Sequence, residues 1–339
     1  MRTRGVRFAS TSVAAALRAL AALGGDIGAS AARRLTGAVP RAWDGDGPRR
    51  ARRNGFTFQL DLSDYMQRYV FYAGCYDRSL RDFLVAEARP GDVCVDVGAN
   101  IGVYALPLAR RLKRLGGGQV YAFEPGIAAA SALRRSIDSA ALETIALVPL
   151  ALGSRRSRMA LRQSLWMAES DICAATLFGD GPEICVADVV AYDQWKSENG
   201  VEALDLIKID VEGGEIEVLR GMGASIQECR PRAIVLEVDT GHLERAGTTV
   251  AELHALIDEL GYEAEGPNLN DVACGRYSRL GPNVILRPRE GTCRSRYRLR
   301  HGRCFQALRS QYRRLMDTPR SPGGHPRHSD AMNLAQASS

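Results

Sequence analysis

Three apolar runs in this chain of 339 residues end in acids, a lysine and glycines, and those endings carry its chemical information. The first run, Val93-Cys94-Val95-Asp96-Val97, passes directly into Gly98-Ala99-Asn100-Ile101-Gly102. That pattern reads as a buried strand, a tight turn and the start of a helix. Glycines at 98 and 102 let the backbone turn sharply and approach a ligand, and the amides that open the helix point at whatever lies above the strand end. A dinucleotide site needs glycines spaced G-x-G-x-x-G for a pyrophosphate. Here Asn100 stands in the place of the second glycine and Val103 in that of the third, so Asp96 followed by Gly-x-Asn-x-Gly fits S-adenosylmethionine better than NAD.

The second run, Gln119 to Phe123, ends at Glu124-Pro125, with the acid 22 residues beyond Gly102. A carboxylate at the end of the neighbouring strand can accept both ribose hydroxyls of an adenosine, which assigns Glu124 to the ribose and places Pro125 beside it. The third run is Asp205-Leu206-Ile207-Lys208-Ile209-Asp210-Val211-Glu212-Gly213-Gly214-Glu215. If the strand extends that far, alternation puts Lys208, Asp210 and Glu212 on one face. The set is then either a lysine held toward a substrate oxygen by flanking carboxylates or an internal ion pair that locks the strand to its neighbours.

Ligands of open parallel sheets sit beyond the carboxyl ends of the strands, so Asp96, Glu124, Asp210 and Glu237 should surround one crevice. Asp96 would orient the glycine turn or the amino end of the cofactor, or cap the next helix. Asp210 could serve as a base, a metal ligand or a cofactor-side group. Glu237 and His242 are further candidates for removing a proton or binding metal, and oxygen ligands from Asp210 and Glu237 could hold a divalent ion such as magnesium.

The elements that must position these residues alternate. Helices are expected at 77–87, 103–115, 215–222 and 250–260, the last capped by Thr248 or Thr249 and closed by Gly261. Strands are expected at 56–62, 93–97, 119–123, 145–150, 204–209, 233–238 and 283–286, with a short loop from Tyr262 through Val272. Such alternation means an α/β fold with a parallel sheet and helices on both faces.

The chain resembles the FkbM family of class I methyltransferases. The resemblance rests on Val95 to Gly102, Phe123-Glu124-Pro125, Ala151-Leu152-Gly153, Tyr192-Asp193, Leu206 to Gly213 and Val235 to Val238, in family order across roughly residues 56 to 288. It departs from the family at Ser136, where Asn is frequent, and in an insert at 154–183 that aligns with nothing. The resemblance implies a Rossmann-like, mostly parallel seven-stranded sheet with a final antiparallel strand, S-adenosylmethionine as cofactor, and O-methylation of a hydroxyl on a small molecule or glycan. Two alternatives stay open: RNA or protein as acceptor, or a cofactor-binding module without chemistry.

Charge divides the chain into a core and two basic ends. Residues 1–53 hold 11 Arg against 3 acids and residues 291–339 hold 10 Arg against 2 acids, which leaves the middle near −10 although the whole is +6. A nucleic-acid groove in the core at 54–290 is therefore disfavoured. The first 25 residues carry no acid and four Arg. Val13, Ala16, Leu17 and Leu20 lie on one helical face, as in a transit peptide or interfacial helix, but Arg18 breaks the run and no stretch is long enough to span a membrane. The favoured reading of 1–53 is a poorly ordered leader and linker. The arginines of the 291–339 extension, interleaved with Tyr297, Phe305 and Tyr312, could grip phosphate on nucleic acid or lipid, or form a solvated, partly disordered tail. Eight scattered cysteines without a C-x-x-C pair point to a reducing, cytoplasmic setting; Cys94 reads as a small buried apolar residue, and Cys293 with Cys304 is a possible pair.

Overall fold

A computed structural model describes residues 2–289 apart from 24, 45–46, 164–174, 180, 267–268, 274 and 276–280. The basic extension 291–339, with Cys293 and Cys304, and Cys173 and Cys274 lie outside the described residues. The N-terminal segment corrects the expectation of a poorly ordered leader. It forms helices α1 (Arg2–Leu23) and α2 (Gly25–Ala38), then strand β1 (Arg49–Arg53), paired antiparallel with β2 (Phe56–Leu60). The hairpin turns at Asn54-Gly55, both at positive φ, so the expected boundary after residue 53 falls inside a pair of hydrogen-bonded strands.

The buried stripe of α1 is Ala14, Leu17 and Ala21, a helical spacing that joins Ala32, Val39, Phe56, Phe58 and Leu60 in the main core. Ala16 and Leu20, assigned to the apolar face from sequence, are exposed. Helix α3 (Tyr65–Tyr72) ties the segment down through the buried Arg68. Its guanidinium donates to Asp44 Oδ2 at 2.7 Å and to the carbonyls of Thr36 and Val39 at 2.7 and 2.6 Å. The Tyr72 hydroxyl donates to the other Asp44 oxygen at 2.9 Å, so no member of this buried network lacks a partner.

The alternating unit begins at α4 (Arg78–Glu87), whose Asp77 cap accepts the Leu80 amide. It continues through β3 (Val93–Val97), α5 (Ala105–Arg114), β4 (Gln119–Phe123), α6 (Ile127–Ala140) and β5 (Ile145–Val148). The insert follows as short strands β6 (Ala151–Leu152), β7 (Ser157–Gln163), β8 (Ala175–Thr176) and β9 (Glu183–Val190), which form their own sheet in the order β6-β9-β7-β8. The main unit resumes with α7 (Tyr192–Glu198), β10 (Leu206–Ile209), α8 (Glu215–Gly221), α9 (Gly223–Cys229), β11 (Ala233–Glu237), α10 (Thr240–Arg245) and α11 (Val250–Glu259). It closes with β12 (Tyr262–Glu265), α12 (Leu269–Ala273) and β13 (Asn283–Pro288).

Among the described residues the main sheet has seven strands in the order β12-β13-β11-β10-β3-β4-β5. The five strands from β11 to β5 are parallel, and β13 and β12 close the other edge in antiparallel pairing. The segment at 262–265, expected as loop, is thus an edge strand. Its alternating pattern was too short to distinguish, and pairing with β13 decides it. Strand alternation sorts the two faces. Cys94, Val120, Ala122, Leu147, Leu206 and Val235 meet α4, α5, α6 and the N-terminal hairpin, while Tyr121 and Phe123 turn to the opposite face, where their rings contact Trp195 of α7 at 5.0 and 4.9 Å.

Candidate active site

The chain runs from β3 outward to β5, then returns to β10 beside β3 and proceeds the other way. The reversal opens a crevice between β3 and β10 at their carboxyl ends, where open α/β sheets bind ligands. A cleft of about 1030 Å³ lies there, lined by the turn after β3, the loop after β4, the loops after β10 and β11, and the insert sheet.

The turn after β3 is built as its residue types predict. Gly98 has φ +78, and a Cβ on it would collide with the Asp210 carbonyl, so glycine there lets the β3 and β10 loops touch. Asn100 is also left-handed, at φ 48. Glu124, 7% exposed, spans two turns: Oε2 accepts the Asn100 amide at 2.8 Å and Oε1 accepts the Gly126 amide at 2.7 Å. Burial pushes its carboxyl up to about 7 against those two amides, which favour the charged form. Gly98, Asn100, Glu124 and Pro125 line the cleft. Gly102 does not; it packs under Leu133 of α6. These residues fit an adenosine-bearing cofactor: a close backbone approach at Gly98, a buried acid with lone pairs left over, and the half-exposed Ile127 as an apolar face beside it.

Register then assembles the charged cluster. Asp96 of β3 pairs directly with Lys208 of β10, on the same face. Lys208 Nζ lies 3.0 Å from Asp210 and 3.6 Å from Asp96, and 4.8 Å from the centroid of the buried Tyr104 ring. Asp96 is therefore behind the cleft wall rather than on it, at the start of α5, where the Ala105 amide favours its charged form. Burial would lower the Lys208 ammonium, but Asp210 and Asp96 outweigh it and hold it above the ordinary lysine value. Burial likewise raises Asp96, partly offset by Lys208. Asp210 is drawn below its usual value against burial, by the Lys208 charge and by a hydrogen bond from Glu237. Burial and the Asp210 charge push Glu237 far up, so the two carboxyls are drawn apart, Asp210 down and Glu237 up.

The strand ends at Ile209, so alternation does not reach Glu212. A turn brings it to the cluster instead: Glu212 is left-handed at φ 57, and one oxygen from each of Asp210, Glu212 and Glu237 falls within 4.8 Å of the others. Its Oε2 lies 2.8 Å from His242 Nδ1. His242 is on α10, partly buried rather than solvated in a loop; burial lowers its pKa, and the hydrogen bond and charge of Glu212 more than reverse this. Two buried groups hold the turn. Thr176, 2% exposed on β8 of the insert, donates to the Glu212 carbonyl at 2.8 Å and accepts the Phe178 amide at 3.0 Å. Glu215 Oε1 accepts the amides of Gly213 and Val211 at 3.1 and 3.3 Å, and burial pushes its carboxyl up to about 7. Gly213, at φ +112, is needed because a Cβ would stand 2.6 Å from the His242 carbonyl.

Lys208, Asp210, Glu212, Glu237 and His242 are thus brought together on the wall of one cleft that Glu124 also lines. Tyr76, in the loop between α3 and α4, also lines the cleft and feels the Glu237 and Asp210 charges; it, Thr176, Glu215 and Tyr104 were not singled out from sequence. Glu215 stood in the motif itself, as the acid after a double glycine. Thr176 and Tyr76 had no local signal, because each reaches the site from a segment remote in the chain.

A mostly parallel sheet with a glycine turn after one strand, an acid after its neighbour and a charged cluster across the switch point defines a class I methyltransferase site. The model of the Methyltransferase FkbM domain matches residues 96–264. The chain is 32% identical over 203 residues to 31-O-demethyl-FK506 methyltransferase FkbM of Streptomyces tacrolimicus, covering 52% of this chain and 74% of that protein. It is 25% identical over 229 residues to methyltransferase sdnD of Sordaria araneosa, covering 59% of this chain and 82% of sdnD. It is 26% identical over 196 residues to hexuronic acid methyltransferase AglP of Haloferax volcanii, covering 57% of this chain and 74% of AglP. The chain belongs to the FkbM methyltransferase family, and S-adenosylmethionine-dependent methyl transfer is its activity. No helix among the described residues is long and apolar enough to cross a membrane.

Proposed function

We propose that the protein methylates a hydroxyl on a small molecule or glycan, with His242 taking the hydroxyl proton. The observation that carries this reading is the 2.8 Å contact between Glu212 and His242 Nδ1 at the cleft wall, which leaves Nε2 as the ring nitrogen without a partner among the described residues. Bound S-adenosylmethionine supplies a methyl group already activated by its sulfonium. The chain must then hold the acceptor in line and accept its proton as the new bond forms. Glu212 fixes the tautomer in which Nδ1 carries hydrogen and steadies the imidazolium that forms. Asp210, which accepts a hydrogen bond from Glu237, sets the local charge together with Lys208. Glu124 takes the ribose hydroxyls, and Asn100 with Gly98 shapes the turn against the rest of the cofactor.

A divalent ion is a poorer reading of the three carboxylates. Lys208 is already 3.0 Å from Asp210, and Glu212 is turned to His242. The relatives support both acceptor classes: one named for 31-O-demethyl-FK506, another for hexuronic acid. The test is incubation with methyl-labelled cofactor and a panel of sugar, lipid and metabolite hydroxyls, with and without a chelator. Label in an ether, unaffected by chelation, supports the reading; label in an amine or carboxyl product, or loss of turnover on chelation, overturns it.

A further inference from the structure

We propose that the N-terminal hairpin and the end of α5 form a docking surface for an anionic lipid membrane, independent of the methyl-transfer site. Strand β1 reads Arg49-Arg50-Ala51-Arg52-Arg53, and alternation exposes Arg50 and Arg52 while Ala51 is buried. Arg110 of α5 reaches back to the hairpin: its guanidinium lies 3.4 Å from the Phe56 ring centroid and donates to the Asn54 carbonyl at 2.6 Å. That contact brings the exposed Arg114, one helical turn further along, to the same side. Arg18 of α1 and Arg53 both donate to the Phe71 carbonyl, at 3.2 and 2.5 Å. Among the described residues no carboxylate forms an ion pair with any of these six arginines.

Their mutual repulsion is legible in the side chains. Burial and the charges of Arg114 and Arg52 pull the Arg110 guanidinium below its ordinary value, and burial with Arg18 brings Arg53 down to about 10. An anionic surface would relieve that repulsion, and the near −10 charge of residues 54–290 would orient the molecule with this basic face inward. Two observations favour lipid over nucleic acid. Leu20 and Leu23, 38% and 88% exposed, follow Arg18 on α1 and offer apolar tips beside basic residues, the combination an interfacial helix presents to headgroups. The aromatic rings of the patch, Phe56 and Phe71, are covered by Arg110 and by Arg49 with Arg53, so neither is open to stack on a base.

The experiment sediments the full chain with vesicles of phosphatidylcholine alone and of an equal mixture with phosphatidylglycerol, across a salt series. The expected result is binding to the mixture, none to phosphatidylcholine, and release as salt rises. In the triple variant Arg50→Gln, Arg52→Gln, Arg114→Gln, partition should fall roughly a hundredfold, about fivefold per arginine, with thermal melting unchanged because all three side chains are exposed. Any of three results overturns the proposal. The mixture could fail to bind, or the variant could bind as tightly as wild type, which would assign binding to residues 291–339. A single-stranded RNA oligomer could instead lose affinity in the variant while vesicle binding stays intact.

Discussion

Replacing Lys208 by Met tests how the site is held. The ammonium is 3% exposed and lies 3.6 and 3.0 Å from Asp96 and Asp210. At an effective dielectric constant near 20, each attraction is about 5 kcal/mol before desolvation is subtracted. Removing the lysine strands two carboxylates, of which Asp96 is 2% exposed, and losing one partner of such a buried cluster costs about 3–5 kcal/mol. At about 2 °C per kcal/mol for a chain of this size, the melting temperature at pH 8 should fall by roughly 6–10 °C. The loss should shrink in acid. In the wild type Asp210 has a depressed pKa, so its contribution is present above the unfolded carboxylate value and lost as pH falls through the folded one. In the variant both carboxyls become raised groups, most stable when protonated at low pH and destabilising as pH rises. The melting curves of wild type and variant should therefore converge between about pH 8 and pH 4. The double variant Asp96→Asn with Lys208→Met should recover part of the loss, because it removes a stranded charge. Calorimetric melts across that range provide the assay. A deficit below about 1 kcal/mol, or one that does not change with pH, would show that the cluster is not the buried ion network described here.

Four further outcomes follow from the geometry. Glu124→Ala should weaken S-adenosylmethionine binding roughly ten- to hundredfold by calorimetry, since it removes the ribose acceptor and releases the Asn100 and Gly126 amides together. His242→Gln should lower turnover by about a hundredfold. Wild-type activity should fall as pH drops through an ionisation above the ordinary histidine value, because the imidazolium cannot accept a proton, and the variant should lose that limb. Thr176→Val should lower kcat by about tenfold with acceptor KM little changed, and Thr176→Ser should restore it; if His242→Gln is already present, the Thr176 change should have no further effect. Gly98→Ala should abolish cofactor binding or folding because its methyl group meets the Asp210 carbonyl, and a variant with normal affinity would refute the close approach of the two loops.

Much of the architecture was legible in the chain. Apolar runs closed by glycine and acid place β3, β4, β10 and β11 within a residue or two, because a buried parallel strand admits little but apolar residues until it reaches its carboxyl end. The Thr249 cap, the Asp77 cap and the glycine turn at 98 follow from local hydrogen bonding and allowed backbone angles alone. The order of N-terminal helices on the core was not legible, since Ala14, Leu17 and Ala21 form too weak a stripe to declare which face is buried until α2 and the hairpin cover it. Nor was the division of labour among the charged residues. Sequence places Lys208, Asp210 and Glu212 two apart, but only the turn after Ile209, bent through a left-handed Glu212 and latched by Thr176 from the insert, sends Glu212 to His242 and leaves Lys208 between Asp96 and Asp210. Which acid meets which base depends on register between strands more than 100 residues apart in the chain, and that is set by packing of the whole sheet.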